Sequence, residues 1–155
     1  MLRGHIIYKG SPEVKAKAFR GIVKEGMREI LDFWHNKYLP KHFTKAGARE
    51  YKYEDRSSTH MKKKIKYYRH ADPLVYTGDM KKMLKQMLFI SGTAKKATGK
   101  MRGPKYLHTK GRNQPDKADE ITRISRPEIQ IFAQRMDKHI TKKINAVKTT
   151  KTKRF

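Results

Sequence analysis

The sequence predicts an α+β fold, with long N-terminal and C-terminal amphipathic helices packed on a small antiparallel sheet. Three observations predict it. Apolar residues recur at steps of three and four from Val14 to Tyr38. A capping box at Ser125-Arg126-Pro127-Glu128 opens a second stripe of the same period. Between the two lie shorter runs of strand character, at 87–90 and 120–124.

In chain order, His5 to Tyr8 is a short run, apolar from Ile6, suited to an edge strand, and Lys9-Gly10 is a turn. Ser11-Pro12-Glu13 then starts a helix: a hydroxyl for the free N–H groups, a proline in the first turn and an acid at the positive end of the dipole. Val14, Ala18, Ile22, Val23, Met27, Ile30, Leu31, Trp34 and Tyr38 form its stripe. Gly21 and Gly26 weaken it or admit a close neighbour. Pro40 closes it by biasing Leu39 away from helical angles. Phe33 and Trp34 read as core rather than as a recognition surface.

Residues 43–53 show no clear period. Ser57 to Tyr68 predicts a short helix capped by Ser57 or Ser58, with Met61, Ile65 and Tyr68 on one face and Lys62, Lys63, Lys64, Lys66 and Arg69 on the other. Asp72-Pro73 is a turn. Thr77 caps a helix over residues 79–85, with Met80, Met83 and Leu84 inward. Met87 to Ile90 predicts a strand ending at Ser91-Gly92. Residues 93–105 read as a hairpin arm or mobile loop, and Tyr106-Leu107-His108 as a second strand. Residues 110–118 read as an exposed loop, and Glu120 to Ile124 as a half-buried strand. The last helix carries Ile129, Phe132, Met136, Ile140, Ile144 and Val147 on its stripe. The expected organisation is a single domain over 1–147, with arm insertions around 42–72 and 93–118, and a flexible basic tail over 148–155.

Charge is the largest compositional fact. Thirty-nine Lys and Arg against fourteen Asp and Glu give a net +25 over 155 residues, a field that repels identical copies and attracts anions. The expected partners are nucleic acid, an acidic protein surface or anionic lipid. Fifteen aromatic residues and two apolar stripes argue against full disorder. There is no cysteine, so disulfides and thiolate metal sites are excluded. Met1 to Tyr8 is too short for a signal peptide, and no apolar run approaches membrane-spanning length. The expectation is a soluble protein acting in the cytoplasm or on a particle assembled there.

Seven histidines raise the question of a metal, but none has ligand-like spacing: there is no HExxH and no acidic triplet. His35 and His139 fall on helix flanks, and His42, His60, His70 and His108 in basic surroundings. Glu50, Glu54 and Asp55 read as salt-bridge partners for nearby cations. No nucleophile has an evident base. No catalytic residue, metal or cofactor is expected. Basic residues interleaved with aromatics can bind nucleic acid, because cations release phosphate counterions and rings stack on exposed bases. Tyr51, Tyr53, Tyr67 and Tyr68, with Arg49, Arg56 and the 62–66 lysines, are candidates. Lys95, Lys96, Lys100 and Arg102 add a second basic group.

HFT, a short spacer, REYKYEDRSS, a lysine-rich segment and DPLVYTG before a Met/Lys-rich helix form a recognisable block. It resembles a family of small virion proteins of tailed bacteriophages, of the neck, tail-completion and minor tail kind. The matching positions are His42, Phe43, Thr44, Arg49, Tyr51, Tyr53, Arg56 and Ser57, then Pro73, Leu74, Val75, Thr77 and Gly78. A looser likeness extends over about 15–145. The resemblance implies a non-enzymatic α+β subunit and a homo-oligomeric ring at the head–tail junction, around the channel the genome passes through. It implies copies of the chain, the head connector or adaptor, tail-tube proteins and packaged double-stranded DNA as partners, and localisation in the virion, with no membrane. The chain departs from the family chiefly in its charge. The alternative carried by charge alone is a general nucleic-acid-binding protein, ribosome-associated or DNA-packaging.

Overall fold

A computed structural model describes residues 16–75, 77–108 and 116–152. The expected edge strand at His5–Tyr8 and the helix start at Ser11–Glu13 lie outside them. Helix α1 (Ala16–Lys37) follows its stripe: Ile22, Trp34 and His35 are buried, while Ala16 to Gly21 are exposed. Pro40 does not end the structure but sits in a 3-10 turn, Leu39–Phe43, that buries Leu39, His42 and Phe43. Pro is compatible there because the first turn of a helix has no use for its missing N–H.

The unpatterned segment after it holds a further helix, α2 (Lys45–Glu50). Thr44 caps it, accepting from Gly47 N–H at 3.0 Å while donating to the Lys41 carbonyl at 2.7 Å. A side chain at Gly47 would run into that same carbonyl, so only glycine lets the 3-10 turn and α2 stack this closely. Helix α3 (Ser58–Tyr68) begins as expected, with Ser57 Oγ accepting from His60 N–H. Helix α4 (Asp79–Leu84) buries Met80 and Leu84, and Thr77 Oγ1 lies 3.5 Å from the Asp79 N–H.

Strand β1 (Met87–Gly92) pairs antiparallel with β2 (Ala97–Met101), which runs through the segment expected to be an arm. A bulge between Met87 and Phe89 turns Leu88 outward. The second strand is therefore not Tyr106–His108, which forms a 3-10 turn, Lys105–His108, with Leu107 N–H bonded to the Pro104 carbonyl. Proline ahead of that segment removes a ladder donor and favours a turn.

Glu120 to Ile124 is likewise not a strand. Helix α5 (Lys117–Thr122) covers most of it, capped by Asp116, whose carboxylate accepts from Ala118 and Asp119 N–H at 3.0 and 3.2 Å. The alternation of Glu120-Ile121-Thr122-Arg123-Ile124 also places Ile121 and Ile124 one turn apart, and the cap decides between the two readings. The end of the expected 110–118 loop is thus this cap and the start of α5, and residues 109–115 lie outside the description. Helix α6 (Arg126–Thr152) starts at the capping box, with Glu128 accepting from Ser125 N–H at 3.0 Å. It runs on through Thr152, so residues 148–152 continue a helix where a patternless tail was expected.

The long helices are antiparallel neighbours. Glu25 meets Lys143, Glu29 meets His139 and Phe33 meets Phe132, with one index rising as the other falls. A Cβ at Gly26 would crowd the Met136 sulfur and the His139 ring, so this glycine lets α1 and α6 approach closely. The hairpin lies on α1, where Gly92 abuts the Lys24 carbonyl and Gly99 abuts Leu31. The apolar core gathers at the other end of α1: Trp34, Tyr38, Leu39, Phe43, Leu74, Met80, Leu84, Leu107 and Ile121.

Candidate functional site

Beside that core, the chain builds a buried polar hub from residues distant in sequence. After α2, Lys52 takes a left-handed backbone (φ 52°), and both flanking tyrosines face His42. The His42 ring stacks on Tyr51 at 3.7 Å and 8°. Its Nδ1 is 2.6 Å from the Tyr53 hydroxyl. Its Nε2 is buried against the Glu120 backbone without a well-formed hydrogen bond. Burial pushes this imidazole down to about 4, so at neutral pH it is an uncharged ring and the Tyr53 hydroxyl donates to it.

Two carboxylates close the hub. Tyr51 Oη donates to Glu128, the same carboxylate that caps α6. Glu120 accepts from Glu54 N–H at 3.1 Å and from both terminal nitrogens of Arg56. Both carboxylates are about as buried as any side chain in the molecule, at 0% and 1% exposure. Arg123 reaches the Lys52 carbonyl at 2.6 Å and Asp119 at 3.1 Å, and Ser125 Oγ donates to Glu50. Burial raises the Tyr53 and Tyr51 phenols, and the neighbouring carboxylates raise them further. These are structural groups, held in one protonation state.

Next to the hub a half-open cleft of about 940 Å³ runs between α2, the 51–57 turn and α3. Lys45, Arg49, Lys52, Arg56, Lys64 and Lys117 line it, against two carboxylates, Glu54 and Asp55. Met61, Pro73, Leu74 and Met80 supply apolar lining. Leu74 reaches it from a left-handed backbone (φ 57°), uncommon for a branched side chain. Arg56 is committed to Glu120, but Lys45, Arg49 and Lys52 form no ion pair among the described residues. The His60 imidazole sits below its usual range, first through burial and then through Lys64, Arg56 and Lys117. The cleft thus carries more cations than carboxylates, six against two.

The candidates named from sequence separate into three groups. His42, Tyr51 and Arg56 belong to the hub, Phe43 to the core beside it, and Tyr53 to both hub and cleft. His42 is a core residue, not one in basic surroundings. Arg49, Ser57, Pro73 and Leu74 line the cleft, while Thr77 and Gly78 start α4. Lys62, Lys63 and Lys66 are exposed on α3, with Arg69 as its left-handed cap (φ 55°). Lys95, Lys96, Lys100 and Arg102 are exposed on the hairpin and line no part of the cleft.

Lys64 departs from expectation. It is 4% exposed, and its amine donates to the Asp72 carbonyl. Desolvation lowers its affinity for a proton. Helix α3 thus turns Met61 and Lys64 inward, and leaves Ile65, Tyr67 and Tyr68 at 52%, 70% and 40% exposure. A lysine stem packs as well as an aliphatic chain when its head finds a carbonyl. Lys45, Lys52 and Lys117 were not singled out in the sequence. Lys45 and Arg49 are spaced four apart, which places them on one face of α2, and that spacing is the available signal; Lys52, beyond the helix in a left-handed conformation, offers none. Among the expected acidic partners, Glu50 binds Ser125 rather than a cation.

No group of three His, Asp or Glu side chains able to hold a metal occurs among the described residues. No helix among them is long and apolar enough to cross a membrane. What the arrangement offers is binding: exposed cations on α3 and on the hairpin, and a concave basic cleft. In comparisons with known proteins, the chain matches no family model, no curated protein and no solved structure.

Proposed function

We propose that this chain is a structural virion protein of a tailed bacteriophage, a ring-forming neck or tail-completion subunit at the head–tail junction near the DNA channel, and not an enzyme. One observation carries the reading. Most of the residues behind the resemblance, separated along 42–57 and 73–75, converge on one hub, core and cleft, and so have a physical reason to occur together. Its partners are copies of itself, head connector and tail-tube proteins, and packaged DNA. The outward cations Lys62, Lys63, Lys66 and Arg69 are placed to face phosphates, since α3 returns only Lys64 to the interior.

The test is to change Lys62, Lys63, Lys66 and Arg69 together to serine. The isolated variant is expected to fold normally, and particles carrying it to lose DNA or fail at head–tail joining. Normal infectious particles would sink this role for α3.

The exposed rings favour a second reading. Tyr67 is 70% exposed with the Lys66 amine 5.8 Å from its centre, a pair suited to stacking on bases. A general nucleic-acid binder would hold oligonucleotides as a monomer, with log affinity falling by about 0.9 per neutralised duplex phosphate as log salt rises. A ring subunit would bind only weakly outside its particle.

A further inference from the structure

We infer that the cleft between α2 and α3 is a docking site for an extended acidic segment of a partner protein, anchored by one apolar side chain. The rim is set by geometry. Lys45 and Arg49 stand one turn apart on α2, about 6 Å along its axis. Side chains two residues apart on an extended peptide face one way at a spacing of about 6.6 Å. Carboxylates at such positions meet Lys45 and Arg49 together. Both cations are exposed and have no ion-pair partner among the described residues, so no internal bond is broken. Elsewhere in the lining, Met61 of α3, Pro73 and Leu74 offer an apolar surface to the residue between the carboxylates, which alternation turns away from α2.

Charge complementarity selects an acidic occupant, and shape selects peptide over nucleic acid. Duplex DNA presents its phosphates on a convex surface, which suits the exposed lysines of α3 better than a concave cleft of about 940 Å³. A single strand needs open aromatic faces. The phenol rings of the lining offer few of them: Tyr53 is tied to His42, which leaves Tyr106, 47% exposed with the Lys117 amine 5.4 Å from its centre, short of the run of faces on which successive bases stack. The cleft volume is within the range of pockets that enclose a small ligand or a few side chains.

This inference does not depend on the virion reading and is tested on the isolated full chain. The probe is a fluorescent acidic octapeptide with one central leucine. Its controls are the same peptide with serine in place of leucine and a dT octamer. Anisotropy at about 0.15 M salt, where distant surface charges are screened, is expected to show the leucine peptide binding about tenfold tighter than the serine peptide, as burial of one leucine implies. Lys45→Glu with Arg49→Glu should abolish binding with an unchanged melting curve. If that pair fails to fold, Lys52→Glu alone makes the comparison, because residue 52 lies outside any helix. Changing Lys95, Lys96 and Lys100 to serine should leave binding intact. Equal affinity for the serine peptide, no binding, indifference to the α2 reversals, or displacement by an equal concentration of the dT octamer would each overturn the proposal.

Discussion

Residues 42–57 and 58–70 adjoin in the chain and share a composition of tyrosine, histidine and cations, yet they fold in opposite senses. In the first, Tyr51 and Tyr53 are turned inward, and Arg56 and the tyrosines close on Glu120 and Glu128. In the second, Tyr67, Tyr68 and Ile65 face outward, and Lys62, Lys63 and Lys66 carry no ion pair among the described residues. The difference is the supply of partners. Fourteen acids cannot match thirty-nine cations. Where a buried carboxylate is available the polar groups go inside, and where none is available they stay in water. Lys64 is the instructive exception, buried with its amine on the Asp72 carbonyl and the Asp72 charge acting on it.

The sharpest way to break this contrast is to remove the carboxylate. Glu120→Ala leaves Arg56 and the Glu54 N–H without their acceptor, and should cost about 3–5 kcal/mol. Chemical denaturation measures it, and a loss below about 1 kcal/mol would show that the hub is not held by this group.

Acid should act chiefly on the first region, through His42, with the lowered His60 imidazole carrying a part of the effect into the second. His42 ionises at about 4 in the folded chain and near 6.5 when unfolded. The unfolded state therefore takes the proton first. The contribution of the neutral ring is complete above about 6.5 and is lost as pH falls toward 4, by up to about 1.4 kcal/mol per pH unit. Stability followed from pH 7 to pH 4 should fall less steeply for His42→Phe, which keeps a ring against Tyr51. Parallel curves for the two proteins would remove His42 from the account.

The smallest effects belong to α3, and they divide within a single helix. Changing Lys62, Lys63 and Lys66 together should move stability by no more than about 0.5 kcal/mol. Lys64→Ala should cost about 1–2 kcal/mol, because it strips the Asp72 carbonyl of its donor and removes a buried stem. Thermal melts of the two variants make the comparison, and equal melts would contradict the inward placement of Lys64.

The strongly patterned helices were legible because their signals are local. Ser57 and the 125–128 box each act within a few residues, and the α1 stripe needs only a period, whereas α4 is capped by Gly78 in a left-handed conformation and not by the expected Thr77 side chain. Short elements were misread where one local signal outweighed another. The Glu120–Ile124 alternation concealed α5, whose deciding cap at Asp116 fell in a supposed loop. Tyr106–His108 lost its strand to the proline before it. Of the site, the sequence marked the cations and tyrosines as a group but not their sorting into hub, cleft and surface.

By itself, then, the sequence determined the α+β class, the two long helices, the hairpin's first strand and an excess of positive charge that must meet anions. Tertiary structure alone decided which cations remain free. That choice depends on carboxylates 64 and 77 residues away along the chain, and on a backbone carbonyl opposite Lys64. Period and propensity describe neighbours within a turn or two. The desolvation of an ionisable side chain depends on what the folded chain brings up against it, and no local pattern records that.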